Sequence, residues 1–163
     1  MMDAGEKSFI IRMFHVHHNF GSKKALIDIT LDIAKNEFVF ISGPSGAGKT
    51  TLLKLLYLGE SVSEGQVLID GINIARIPRK KTPHLRRKFG VIFQDYKLIP
   101  TKSVYDNVAL VLEAAGAKRR FIPKKVKSIL RSVGMEDRLK SFPPSLSGGE
   151  QQRIAVARAI IGD

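Results

Sequence analysis

The chain has 163 residues, with 27 Lys and Arg against 15 Asp and Glu, a net charge of +12, and no cysteine. That length suits one domain able to bury a real core, and no apolar run approaches the ~18–20 residues that span a bilayer. Disulfides and thiolate metal sites are excluded, and the polar segment Met1–Ser8, with two acids, does not read as a signal peptide. A soluble protein of a reducing cytoplasm is expected. The positive charge is uneven: seven Lys or Arg and no acid lie between Arg76 and Lys88, and seven more between Lys118 and Arg131. Such fields favour polyanions, whether nucleic acid, anionic headgroups or nucleotide. No nucleic-acid motif accompanies them, and neither run has aromatics arranged for base stacking, so no nucleic-acid partner is expected.

In chain order, Phe9–Phe14 reads as a strand running into a turn at His15, His17 and His18. Three histidines in four positions suggest a metal site, but no fourth ligand or matching cluster accompanies them. Phe20 precedes a second turn, Gly21-Ser22-Lys23-Lys24. From Leu26 to Ile33 apolar and polar residues alternate, with Ile27, Ile29, Leu31 and Ile33 on one face of a half-buried antiparallel strand. Phe38-Val39-Phe40-Ile41 is a short continuous apolar run, the pattern of a buried parallel strand.

That run feeds Gly43-Pro44-Ser45-Gly46-Ala47-Gly48-Lys49-Thr50, which fits G-x-x-x-x-G-K-[ST]. Glycines let the backbone curl so that successive N–H groups face inward and form an anion nest. The helix expected from Thr51 onward adds its positive end. Lys49 suits the β- and γ-phosphates of a nucleotide, and the Thr50 hydroxyl suits Mg²⁺. Strand, loop and helix in that order make this a nucleotide-binding loop rather than a chance glycine-rich turn.

Gln66–Asp70 reads as a strand closed by Asp70-Gly71. Prolines at 78 and 83 confine any helix in the first basic run to Pro83–Lys88. Phe89–Phe93 reads as a second short buried strand, ending at Gln94. Ser103 caps a helix bearing Val104, Val108, Val111 and Leu112 and stopped by Gly116. Val126, Ile129, Leu130 and Val133 mark another, stopped by Gly134, with a short third at Met135–Leu139. Pro143-Pro144 predicts an extended segment. Leu146-Ser147-Gly148-Gly149-Glu150-Gln151-Gln152-Arg153 then opens a last helix carrying Ile154, Ala157 and Ile161, and its start is a second anion site by the same helix-terminus physics.

Gly43–Thr50 with Thr51, then Gln94, then Leu146–Arg153, in that order, resemble the Walker A, Q-loop and signature motifs of ABC-type ATPases. The resemblance spans Phe9 to Gly162. It implies an α/β fold: a P-loop core with an antiparallel β edge at 9–95, a Q-loop and helical subdomain at 96–144, and the signature with its helix at 145–163, after a tail at 1–8. It implies ATP and Mg²⁺ as ligands, with Phe20 stacking on adenine and the Gln94 carbonyl touching the metal. It also implies that Ser147, Gly148, Gly149 and Glu150 act on a nucleotide held by a second copy, in a nucleotide-dependent homodimer. A membrane-spanning, permease-like partner and a place on the cytoplasmic face of the inner membrane follow from it too. Within the family, Phe93–Leu98 and Ser103–Ala109 are most similar to ATPases of bacterial cell division, with lipoprotein-release and macrolide-export ATPases as the alternative.

The family's Walker B strand, catalytic Glu and switch His would follow Asp163, and no earlier apolar strand ends in Asp-Glu. No catalytic residue is therefore assigned within the chain. The sheet is expected to lack its C-terminal strands, and the chain is expected to hydrolyse ATP poorly alone. A P-loop kinase of small molecules and a nucleic-acid-binding protein are the competing readings; the signature sequence argues against the first.

Overall fold

Two long strands, β1 (Phe9–Phe20) and β2 (Lys23–Ala34), pair as an antiparallel hairpin around the turn at Gly21-Ser22. They belong to a computed structural model that describes residues 8–162; residues 1–7 of the expected tail, and Asp163, lie outside the described residues. The chain divides into two units, one ending at Arg86 and the other starting at Arg87, and each is described by itself.

In the first unit a sheet runs in the order β2-β1-β3-β4, with every pair antiparallel. β1 therefore has neighbours on both edges, and this pairing carries it straight through His15, His17 and His18, where a turn was predicted. The local break is a bulge instead. His15 and Asp28 both sit at positive φ, 46° and 52°, a conformation that His and Asp tolerate better than most residues, and His15 Nδ1 lies 2.7 Å from Asp28 Oδ1. The bulge also shifts the phase of β2. Ile29, Leu31 and Ile33 remain on the half-buried face, but Ile27 is 60% exposed and Leu26 takes the buried position. β3 (Glu64–Ile69) buries Val67 and Ile69, and it turns into the two-residue β4 (Ile72–Asn73) at Asp70-Gly71. Those turn residues have φ of 50° and 74°, the pattern of a type I′ hairpin turn. α1 (Lys49–Leu56) buries Leu52, Leu55 and Leu56 and packs against β2. α2 (Thr82–Arg86) is shorter than the helix predicted to reach Lys88.

Phe38–Ile41 is not a strand. Phe38 is 90% and Phe40 81% exposed, and among the described residues no strand lies beside the run to accept its backbone hydrogen bonds. An apolar sequence supplies the side chains of a buried strand, but only a neighbour makes the ladder.

The second unit is helical. α3 (Val104–Ala114), α4 (Ile122–Ser132) and α5 (Gly148–Ile160) enclose a core of Val104, Val108, Leu112, Val126, Leu130 and Ile154. Ser103 caps α3 as predicted, its Oγ accepting from the Asp106 N–H at 3.1 Å. Asn107, wholly buried, is fully satisfied: its amide donates to the carbonyls of Ile99, Lys102 and Ser103 and accepts from the Ile99 N–H. It ties the loop before α3 to that helix. The predicted third helix is a 3₁₀ turn at Glu136–Arg138. Pro143-Pro144 also forms a 3₁₀ turn, through Ser145, rather than an extended segment; proline's fixed φ fits a helical start as readily as an extended one. Phe89–Phe93 is again no strand. It runs irregularly against α5, where a Cβ on Gly90 would collide with the Ala159 carbonyl.

Candidate anion-binding site

The loop 43–48 closes on itself through the Ala47 N–H to the Pro44 carbonyl at 3.3 Å. Gly46 and Gly48 have φ of 80° and 87°. At Gly48 a side chain is excluded twice over, by that conformation and by space: an added Cβ would lie 2.5 Å from the Ala25 carbonyl oxygen of β2. α1 starts immediately after it, with no side chain capping its end and no acid in its first turn. The N–H groups of that turn have no intrahelical acceptor, so they stand as donors for an anion. Lys49 reaches back across the loop, and its Nζ donates to the carbonyls of Gly43 at 2.7 Å and Pro44 at 2.8 Å. The ammonium thus braces the loop.

Ser45, Gly46, Ala47, Gly48, Lys49, Thr50 and Thr51 line a cavity of about 330 Å³ together with Phe20, Lys23, Lys24 and Ala25. Gly43 and Pro44 stand behind it, engaged by Lys49. Phe20, at the end of β1, is 46% exposed, and its ring meets that of His18 in a T-shaped contact at 4.6 Å. His18 is buried and hydrogen-bonded through Nδ1 to the Ser61 carbonyl at 2.8 Å, which fixes the ring that props Phe20. Lys23 and Lys24 were read only as turn residues; the hairpin carries them beside Lys49. Among the described residues no carboxylate lines the cavity. Backbone donors, three cations and an exposed aromatic ring fit a phosphorylated ligand with a planar group, and the exposed Thr50 hydroxyl, unbonded among the described residues, fits a hydrated cation.

Gln94 and the second glycine motif belong to the other unit. Gln94 is exposed at the start of a turn in which Tyr96 and Lys97 hold φ of 56° and 47°. Arg158 of α5 fixes that strained turn, donating from its two terminal nitrogens to the Lys97 and Tyr96 carbonyls at 2.6 Å each. Burial lowers the Arg158 pKa from the usual guanidinium value. No sequence signal points to this residue, because its partners are main-chain atoms 61 and 62 positions away.

At the start of α5, Ser147 and Glu150 form a reciprocal cap. The Ser147 Oγ accepts from the Glu150 N–H at 3.3 Å, and Glu150 Oε2 accepts from the Ser147 N–H at 2.8 Å. Glu150 is thus an internal anion at this helix terminus, whereas Gly148 and Gly149 are exposed, with no atom within 4 Å of an added Cβ. The Ser147 backbone N–H, then its hydroxyl, hold the Glu150 carboxyl below the usual glutamate value, with Arg138 and Arg153 adding to the effect. A depressed folded-state pKa means that the unfolded chain binds the proton more readily. The cap's contribution is therefore complete above the ordinary glutamate value and lost as pH falls through the lower folded one. The protection factors of the Ser147 and Glu150 amides, which the cap holds, should fall below about pH 4, and Glu150→Gln should flatten that step. An unchanged acid step in the variant would assign it to other carboxylates.

No helix among the described residues is long and apolar enough to cross a membrane. A family model described as "ABC transporter" matches residues 26–163. The cell division ATP-binding protein FtsE of Streptococcus pneumoniae is 46% identical over 85% of this chain and 60% of its own length. The spermidine/putrescine import ATP-binding protein PotA of Bacteroides thetaiotaomicron is also 46% identical, over 99% of this chain and 34% of its own. The chain thus spans about three fifths of the length of the FtsE relative. Among solved structures, the ATP-binding cassette MJ0796, a dimer in a post-hydrolysis state bound to ADP and Pi, superposes with a TM-score of 0.84 at 32% identity, over 93% of this chain and 69% of its own. With the phosphate-loop geometry, the antiparallel sheet and the helical second unit in place, the chain belongs to the ABC transporter family of ATP-binding domains.

Proposed function

We propose that this chain is the ATP-binding part of an ABC complex that couples ATP binding and hydrolysis to a membrane-spanning partner in bacterial cell division. The observation that carries the reading is the formed loop at 43–50, with Lys49 braced across it, beside Phe20 and two further lysines. In this reading the first-turn N–H groups and Lys49 hold the phosphates, Phe20 meets the base, and Thr50 and Gln94 serve Mg²⁺. The bound metal neutralises phosphate charge. Ser147, Gly148 and Gly149 serve a nucleotide in a second copy. The loop after Gln94 and the helical segment 103–140 dock an FtsX-type permease at the cytoplasmic face of the inner membrane. Support for the division role comes from the likeness to FtsE.

The likeness to PotA supports a second reading, an import ATPase. Co-purification of the full-length protein from its own membranes separates the two. Recovery of an FtsX-type permease, reduced at least tenfold when the 95–102 loop is replaced, is expected. Recovery of an importer permease would select the second reading, and recovery of no membrane protein would overturn both.

A further inference from the structure

α4 presents a strongly one-sided surface. Ile122, Val126 and Leu130 are buried against the helical core, while Lys124, Lys127 and Arg131, at i, i+3 and i+7, share the opposite, exposed side. Lys125 flanks that stripe, and the 3₁₀ turn Arg119–Phe121 with Lys118 extends it toward the N-terminus of the helix. Arg131 is paired with Glu136 at 2.6 Å. Among the described residues no carboxylate lies within ion-pair reach of Lys118, Arg119, Arg120, Lys124, Lys125 or Lys127. In the middle of this field Phe121 is 51% exposed, with the Arg120 guanidinium 4.7 Å from its ring centroid.

We propose that this face, Lys118–Phe121 with the outer side of α4, is a contact surface for a layer of anionic lipid headgroups. The helix's apolar side is already used by the protein core, so α4 lies on the surface by charge instead of inserting. Among the described residues of this segment, Phe121 is the exposed large apolar side chain that can enter the interfacial layer, where amphipathic surface segments place aromatic residues. Six exposed cations without an ion-pair partner among the described residues, Arg119 beside a concavity that it shares with Glu113, match a sheet of negative charge better than a single small anion. Nucleic acid fits less well, because single-strand binders stack successive bases on several aromatic rings, and among the described residues of this segment Phe121 is the one exposed ring. Each cation close to an anionic surface is worth roughly fivefold in partition.

The test is co-sedimentation of the 163-residue chain with vesicles at low salt, without nucleotide, so it fails or succeeds independently of the ATP-binding reading. Binding to mixed phosphatidylglycerol–phosphatidylcholine vesicles, and not to phosphatidylcholine alone, is expected. The triple variant Lys124→Gln, Lys125→Gln, Lys127→Gln should weaken it about 100-fold. A second triple variant, Arg79→Gln, Lys80→Gln, Lys81→Gln, removes equal charge from the exposed basic turn of the other unit and should stay within about fivefold of the parent. Phe121→Ala should cost a few-fold at low and high salt alike. Equal losses in the two triple variants would reduce the effect to net charge and overturn the proposal. So would absence of binding to the anionic vesicles, or equally tight retention on duplex DNA with the same dependence on Lys124, Lys125 and Lys127.

Discussion

Lys49→Ala is expected to lower the affinity of this chain for ATP·Mg²⁺ by at least about 100-fold while leaving its circular dichroism unchanged. Charge-assisted hydrogen bonds contribute roughly 1.5–3 kcal/mol each, and a lysine at this loop makes contacts of that kind to the β- and γ-phosphates. The structure adds a second loss. Nζ also bridges the Gly43 and Pro44 carbonyls, so its removal takes away the brace across the loop as well. Lys49→Arg keeps the charge, but a planar guanidinium fork does not reproduce a compact ammonium donating in several directions. It should recover only a minor part of the affinity. Gly48→Ala is the less discriminating probe, because its Cβ meets the backbone of Ala25 and the fold suffers together with the site. Titration with a fluorescent ATP analogue decides: a dissociation constant for Lys49→Ala within threefold of the parent would remove Lys49 from the phosphate site.

What the sequence conveyed well is local. The Ser103 cap, the Asp70-Gly71 hairpin turn and the apolar spacing of α3, α4 and α5 depend on residues a few positions apart, and each formed as read. The glycine loop was legible for the same reason, since Gly46 and Gly48 permit the positive φ that the turn adopts within a few residues. Where pattern misled, a distant partner decided the outcome. Phe38–Ile41 and Phe89–Phe93 have the composition of buried strands, but a strand is a property of a pair, and no ladder forms at either run. The histidines of β1 looked like a turn because nothing local reveals that β2 and β3 flank them on both edges. Lys23 and Lys24 joined the cavity only through the hairpin's register, and Arg158 reached its carbonyls only through the packing of α5. The phase shift at Asp28 belongs to the same class: a bulge moves Ile27 out of a face to which strict alternation assigned it.

The start of α5 allows a test of the second copy's role that separates function from folding. In the full-length protein with its hydrolytic base disabled, ATP should drive dimerisation, and Gly148→Asp should abolish it while ATP binding to the monomer stays within about twofold. Gly148 is the first residue of α5, exposed, with no atom within 4 Å of an added Cβ. A carboxylate there suits the positive end of the helix, a favourable placement by about 0.3–1 kcal/mol, and it leaves the cap between Ser147 and Glu150 in place. The monomer therefore has no reason to unfold. Against a phosphate brought by another copy the same carboxylate is repulsive. Two like unit charges ~4 Å apart cost on the order of 4 kcal/mol at an effective dielectric of 20, and a triphosphate carries several. A loss of about 1,000-fold in dimer affinity is thus a modest expectation. Gly148→Ala isolates shape from charge: it adds the Cβ alone and should cost far less. Light scattering with and without ATP reads all three forms. An undiminished dimer in Gly148→Asp would leave Ser147, Gly148 and Gly149 with the capping of α5 as their whole role.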